Sequence, residues 1–253
     1  MGIKNYLMAE LYKVSHSSLI WLHIFAPLSA VGVFLVYYRF AAWSELGKVA
    51  GYLQILSIAY PFMIALVTTV LSDLEVRAGH CQQVLTVPCH RCVIHVVKLS
   101  VLLVCGLLSS LLAVIGFGAA FRAMGNSGFS LSFFAGSAIL LFCGNITLYG
   151  ISYLVSFQFS ASKGAGIGVG IVGSLVAALM QTGLGDQVWY YVPWGISLRW
   201  CSLYALDQAG NTVRLLCTDV MKSVIFVIVS GSVLSILLIC WGNTWEAKST
   251  GEE

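Results

Sequence analysis

The chain has 253 residues, of which 59% are hydrophobic and only 9% charged, against roughly 25% charged in an average soluble protein. A soluble globule of this size leaves about a third of its chain surface in water, so soluble, disordered and coiled-coil classes are excluded. The net charge of +3 is small and spread along the chain, which leaves no electrostatic footprint for nucleic acid.

In chain order, residues 1–17 come first. Ile3, Leu7, Leu11 and Val14 recur at helical spacing, with Lys4, Glu10 and Lys13 elsewhere on the wheel. This pattern predicts an amphipathic helix lying in the membrane interface, and an ordinary extension of the first span fits the same residues. Six apolar segments follow, predicted as transmembrane helices at about 18–38, 49–71, 99–121, 133–157, 164–184 and 223–243. Each has the roughly 20 residues that a bilayer core needs and is too long for a barrel strand. The first is too long for the 7–15-residue core of a signal peptide and reads as an uncleaved anchor. The fold class is therefore an all-α integral membrane protein, a single transmembrane domain over 1–253. An even number of spans puts both termini on one side. Seven Lys and Arg fall on the side of the termini and six on the other, a weak vote for cytoplasmic termini under the positive-inside rule.

Between spans two and three, residues 72–98 hold Asp73, Glu75, Arg77, Gly79, His80, Pro88, His90, Arg91 and His95. A short helix is expected from Asp73 to about Leu85, with acids in its first turn and Pro88 as a stop. Cys81, Cys89 and Cys92 lie among these histidines. One Cys-x-x-Cys pair falls short of the two ligand pairs of a zinc site, so the reading is a polar loop with incidental thiols and no metal. Gly125-Asn126-Ser127-Gly128 matches an intramembrane-protease Gly-x-Ser-Gly. All five histidines precede it, however, so no later base exists and it reads as a turn. Gly164, Gly166, Gly168, Gly170 and Gly173 give span five small residues at helix-packing spacing. Residues 182–222 carry Trp189, Tyr190, Tyr191, Pro193, Trp194, Arg199, Trp200 and Tyr204, an aromatic loop expected to lie in the interface or dip into it. Cys201 and Cys217 share this loop and could pair. Cys105, Cys143 and Cys240 fill apolar spans.

No span carries a charged residue in its middle, and only His23 is ionisable near a span's start. That argues against ion-coupled carriers. The phosphate-loop pattern Gly-x4-Gly-Lys-Ser/Thr is missing, so no cofactor is expected in this chain and ATP with Mg would belong to a separate subunit. An intramembrane enzyme lacks a nucleophile–base pair or a paired-acid metal site.

Glu10-Leu11-Tyr12-Lys13 with Ser17 and the Trp21–Pro27 run, Tyr37-Tyr38, and Ala59-Tyr60-Pro61 follow in order. Asp73-Leu74-Glu75-Val76-Arg77-Ala78-Gly79-His80 then leads to Pro88, Arg91 and Lys98. Trp189-Tyr190-Tyr191-Val192-Pro193-Trp194 continues into Leu198-Arg199-Trp200. This ordered set resembles the type-two ABC exporter permeases, and among them the MutG-type lantibiotic-protection permeases. The resemblance covers nearly the whole chain. It implies a permease of the bacterial plasma membrane, paired with an ABC ATPase and with a second, related permease, that removes a lantibiotic or similar peptide from membrane lipid. It also implies that residues 73–92 dock on the ATPase. Another amphipathic cargo, a lipid or drug, or an assembly role without transport, remains open.

Overall fold

A computed structural model of the chain describes residues 3–78, 91–159, 163–210 and 217–244. The described residues are mostly helical, joined by short turns, and contain no strand. Helix α1 is Ile3–Ser15 and α2 is Ser18–Phe40, started by Ser17, whose side chain accepts from Leu19 N. Helix α3 is Glu45–Arg77, capped in the same way by Ser44 on Gly47 N, and α4 is Arg91–Ala123. Such caps satisfy amides that a helix start leaves unpaired. Helices α5 and α6 are Leu131–Gly144 and Ile146–Gln158, and α7 is Lys163–Leu179. A single 3-10 turn, Trp189–Tyr191, leads into α8, Pro193–Gln208, and α9 is Cys217–Thr244.

Among the described residues, α2, α3, α4 and α9 are each long and apolar enough to cross a membrane. Helices α5 and α6 add a fifth crossing if taken as one span bent by 41°. The expected span 133–157 is therefore broken. Asn145 interrupts it, using its side-chain Nδ2 to donate to Leu141 O at 2.8 Å, a local bond that competes with the helix ladder. The expected span 164–184 is corrected as well. Helix α7 ends at Leu179, and at 17 residues it is shorter than a full crossing.

Helices α7 and α8 succeed one another along α3. Gly166 lies against Thr69, Gly170 against Ala65 and Gly173 against Pro61. Farther along, Gln54 Nε2 donates to Ser202 Oγ at 3.4 Å. As residue numbers rise on α7 and then α8, they fall on α3. Residues 182–222 were expected to lie in the interface or dip into it, and Pro193–Gln208 within this stretch is a helix inside the bundle. Its Gly195, Ile196, Ser197, Leu198, Trp200, Cys201 and Ala205 are buried. Backbones touch there, because a Cβ on Gly144 would stand 2.7 Å from Ser197 Cα. Cys201 is a buried free thiol whose Sγ lies 3.7 Å from Ser137 O.

The main core joins α2, α3, α4 and α5 through Tyr38, Tyr52, Phe117, Phe121, Phe133 and Phe134. Tyr52 stacks on Phe117 at 3.9 Å and donates its hydroxyl to Ala113 O at 2.9 Å. The bundle has two polar ends. At one, Gly125 takes φ +97° in the turn read from Gly125–Gly128, Gly128 N donates to Glu45 Oε2 at 2.9 Å, and Arg122 reaches Phe129 O. At the other, α1 meets the ends of α3 and α4.

Candidate functional site

Helix α1 turns a polar side inward. Glu10 and Val14 are buried, while Met8 and Tyr12 are exposed. What receives Glu10 is Lys98, on the second turn of α4. Lys98 Nζ stands 2.6 Å from Glu10 Oε1 and 2.6 Å from Glu75 Oε1. Lys13, one turn after Glu10, pairs with Glu75. Tyr6 adds a hydroxyl to Glu10 Oε1 at 3.1 Å. Glu75 and Lys98 have side chains only 1% exposed, whereas Lys13 is half-buried.

Two carboxylates and two ammonium groups make the cluster neutral. Isolated, any one of them would be expensive to bury, and pairing with hydrogen bonds compensates. The cluster joins three helices separated in sequence. It also closes the base of the α3–α4 connection, since Glu75 stands just before that connection and Lys98 just after it.

The expected separate helix from Asp73 is corrected. Asp73, Glu75 and Arg77 form the last turns of α3. Glu75 points into the charge cluster. Arg77 is exposed, and its Nε lies 2.9 Å from Asp73 Oδ2. Arg91 begins α4. Gly79, His80, Cys81, Pro88, Cys89 and His90 lie outside the described residues. His95 packs into α4's buried face, its Nδ1 2.8 Å from Tyr153 Oη and its ring edge-on to Phe157. Among the described residues no group of three or more His, Cys, Asp and Glu side chains is arranged to hold a metal ion.

The glycines of α7 separate into two kinds. Gly166, Gly170 and Gly173 have no room for a side chain: a Cβ on Gly170 would stand 2.5 Å from Ala65 Cβ, and one on Gly173 would meet Trp194. Gly164 is exposed and Gly168 has nothing within 4 Å. At the far end Arg199 gathers the chain between α7 and α8. Its Nε donates to Met180 O at 2.8 Å and its Nη2 to Asp186 Oδ1 at 2.6 Å. Trp189 is buried beneath, Tyr190 carries Lys222 over its ring at 4.8 Å, and Pro193 opens α8 at its first turn.

Sequence reading missed the cluster because its ion-paired partners are 23 to 88 residues apart. The available signal was a Glu or Lys beside the end of each apolar run in a chain with few charges.

No curated protein matches the chain. The model of a transporter family, described as ABC-2 family transporter protein, matches residues 6–189, well over half of the length. That match covers α1 through α7, including the charge cluster and the helix-packing glycines. A protein of this family is a transmembrane subunit and works with a separate ABC ATPase. The chain belongs to the ABC-2 family of transporter proteins and is the membrane-spanning permease subunit of an ABC transporter.

Proposed function

We propose that this permease sits in the bacterial plasma membrane, with cytoplasmic termini, and removes a lantibiotic or similar cationic peptide from the bilayer. A second, related permease completes the membrane unit, and the cargo reaches it through membrane lipid. Helices α7 and α8 together serve as a sixth, broken crossing, which accounts for their end-to-end run along α3. On this topology α1 lies in the cytoplasmic interface, and the connection between α3 and α4 faces the ATPase. ATP and Mg are bound by that partner, and this chain carries no cofactor.

The carrying observation is the neutral charge cluster Glu10–Lys98–Glu75–Lys13 at the base of the α3–α4 connection. Charged groups packed at 2.6 Å and shielded from water move as one unit. An ATPase seated on this connection can then shift two spans and the interfacial helix in one stroke. Arg77, with Asp73, supplies exposed charge for the docking face.

Co-purification tests this reading. The tagged chain, expressed with a candidate partner ABC ATPase, should bring that ATPase down, hydrolyse ATP and raise the tolerance of cells to a lantibiotic. A preparation with bound, active ATPase and no gain in tolerance would contradict the peptide cargo. Absence of the ATPase would contradict the coupling role of this end.

A further inference from the structure

Helices α2 and α3 do not close on one another along their middle. A cavity of about 230 Å³ separates them, backed by Ala113 of α4 and Tyr149 of α6. Small side chains create it, with Ala26 and Ala30 on α2 opposite Ala59 on α3. The space is a cleft open at the side of the bundle, with Ser29 and Ala59 exposed at its rim, so the phase outside the helices can enter it.

The lining decides what can occupy it. Ser29 Oγ donates to Ala26 O at 2.8 Å and Tyr60 Oη to Gly106 O at 3.1 Å, while His23 Nδ1 lies 2.8 Å from Leu19 O. Ser29, Tyr60 and His23 Nδ1 are thus engaged within the protein, and the rest of the lining is mostly apolar. A peptide backbone or a hydrated headgroup would exchange water for an apolar wall and lose hydrogen bonds. A hydrocarbon chain loses none and gains dispersion contacts that the empty cleft forfeits. An engineered apolar cavity of about 150 Å³ already holds benzene, so the space here suffices for several methylenes. The phase at the cleft is also set. Phe25 and Leu28 of α2 are 60% and 45% exposed, on a helix long and apolar enough to cross a membrane. What bathes such side chains is lipid tail.

We infer that the cleft between α2 and α3 binds one alkyl chain of a bilayer lipid. The chain fills the gap left by the facing alanines and holds α2 at its distance from α3. This assignment needs a bilayer and no peptide cargo, so it stands apart from the transport reading.

The test is photo-crosslinking of the full chain in nanodiscs made with a phosphatidylcholine that carries a diazirine midway along one acyl chain. Labelled sites are read by mass spectrometry. Label is expected on Met63 and Ala26, inside the cleft. Ala59→Phe should fill the space and lower that label at least fivefold, while label on Ile228 and Val233 of the exposed α9 face stays unchanged. Ala30→Phe fills the same space from the opposite wall and should act alike, which covers failure of either variant to insert. Cleft label that survives both fillings, or that never exceeds background, would overturn the proposal. So would disulfide capture of a second polypeptide by a cysteine placed at Ala59, or labelling of Met63 by a photoreactive cationic peptide in place of the lipid.

Discussion

Lys98 Nζ lies 2.6 Å from Glu75 Oε1, with both side chains 1% exposed, and the two residues stand on opposite sides of the connection between α3 and α4. Lys98 is also the only lysine within reach of Glu10 among the described residues. Two carboxylates therefore share one fully buried ammonium group at this end of the bundle, and Lys13 is a second, half-buried partner of Glu75.

Lys98→Met removes the shared partner and leaves two buried carboxylates facing one half-buried lysine. Breaking a buried pair from one side costs about 3–5 kcal/mol. The midpoint of thermal unfolding in detergent should fall accordingly. Glu10→Gln, Glu75→Gln and Lys98→Met combined should recover most of that loss, because no unpaired anion remains. Equal melting of the single and triple variants would contradict the shared-partner role.

The glycines of α7 give a second, sharply divided expectation. Gly170→Leu must displace Ala65 and the α3 backbone near Phe62, and overpacking of this kind costs about 1–3 kcal/mol or more. Gly166→Val should behave alike, against Thr69 and Ser156. Gly168→Ala has open space and should match wild type. Membrane yield and monodispersity on size exclusion read all three, and loss of yield in Gly168→Ala alone would reverse the assignment.

Arg199→Gln should loosen the chain between α7 and α8. It removes a charged donor from Met180 O and from Asp186, and hydrogen bonds to charged groups contribute about 1.5–3 kcal/mol. Amide exchange of Gly185 and Trp189, whose N–H groups bond to Thr182 O and Gly185 O, should accelerate by about tenfold or more. Asp186→Asn should do less, since the Asp186 side chain is 62% exposed. Equal exchange in wild type and Arg199→Gln would remove the clamp role.

Topology gives a fourth expectation. Cysteines placed at Asn126 and Gln208 should react with an impermeant maleimide added to intact cells, and one at Arg77 only after permeabilisation. Native Cys201, fully buried, should stay unlabelled in both. Labelling at position 77 in intact cells would invert the orientation.

Charge-free intervals made four helices legible. The expected 18–38, 49–71, 99–121 and 223–243 fall within or beside α2, α3, α4 and α9. The helices overrun these limits because charged residues at their ends are absorbed by the fold: Glu75 and Lys98 neutralise each other, and Glu45 accepts from Gly128 N. The break at Asn145 was hidden, since an Asn between two apolar helices is neither a charge nor a proline. Helix α8 was hidden for a different reason. Its Trp and Tyr residues, with Arg199 among them, read as an interfacial stretch, yet Arg199 is engaged with Met180 O and Asp186. Of the candidate site, Glu75 was singled out by sequence as part of the stretch expected to dock on the ATPase. Its true neighbours, Lys98 and Lys13, come from elements that only tertiary packing unites.

The most direct measurement is ATP hydrolysis by the permease–ATPase complex in nanodiscs, with and without a cationic lantibiotic, for wild type and for Glu10→Gln. Glu10→Gln removes the ion pair between α1 and Lys98 while leaving Lys98 and Lys13 paired with Glu75. The account predicts that the peptide stimulates hydrolysis in wild type, and that the variant keeps its bound ATPase and basal rate but loses most of the stimulation. Stimulation of equal size in both would show that the charge cluster does not carry the coupling, and no stimulation in wild type would contradict the peptide cargo.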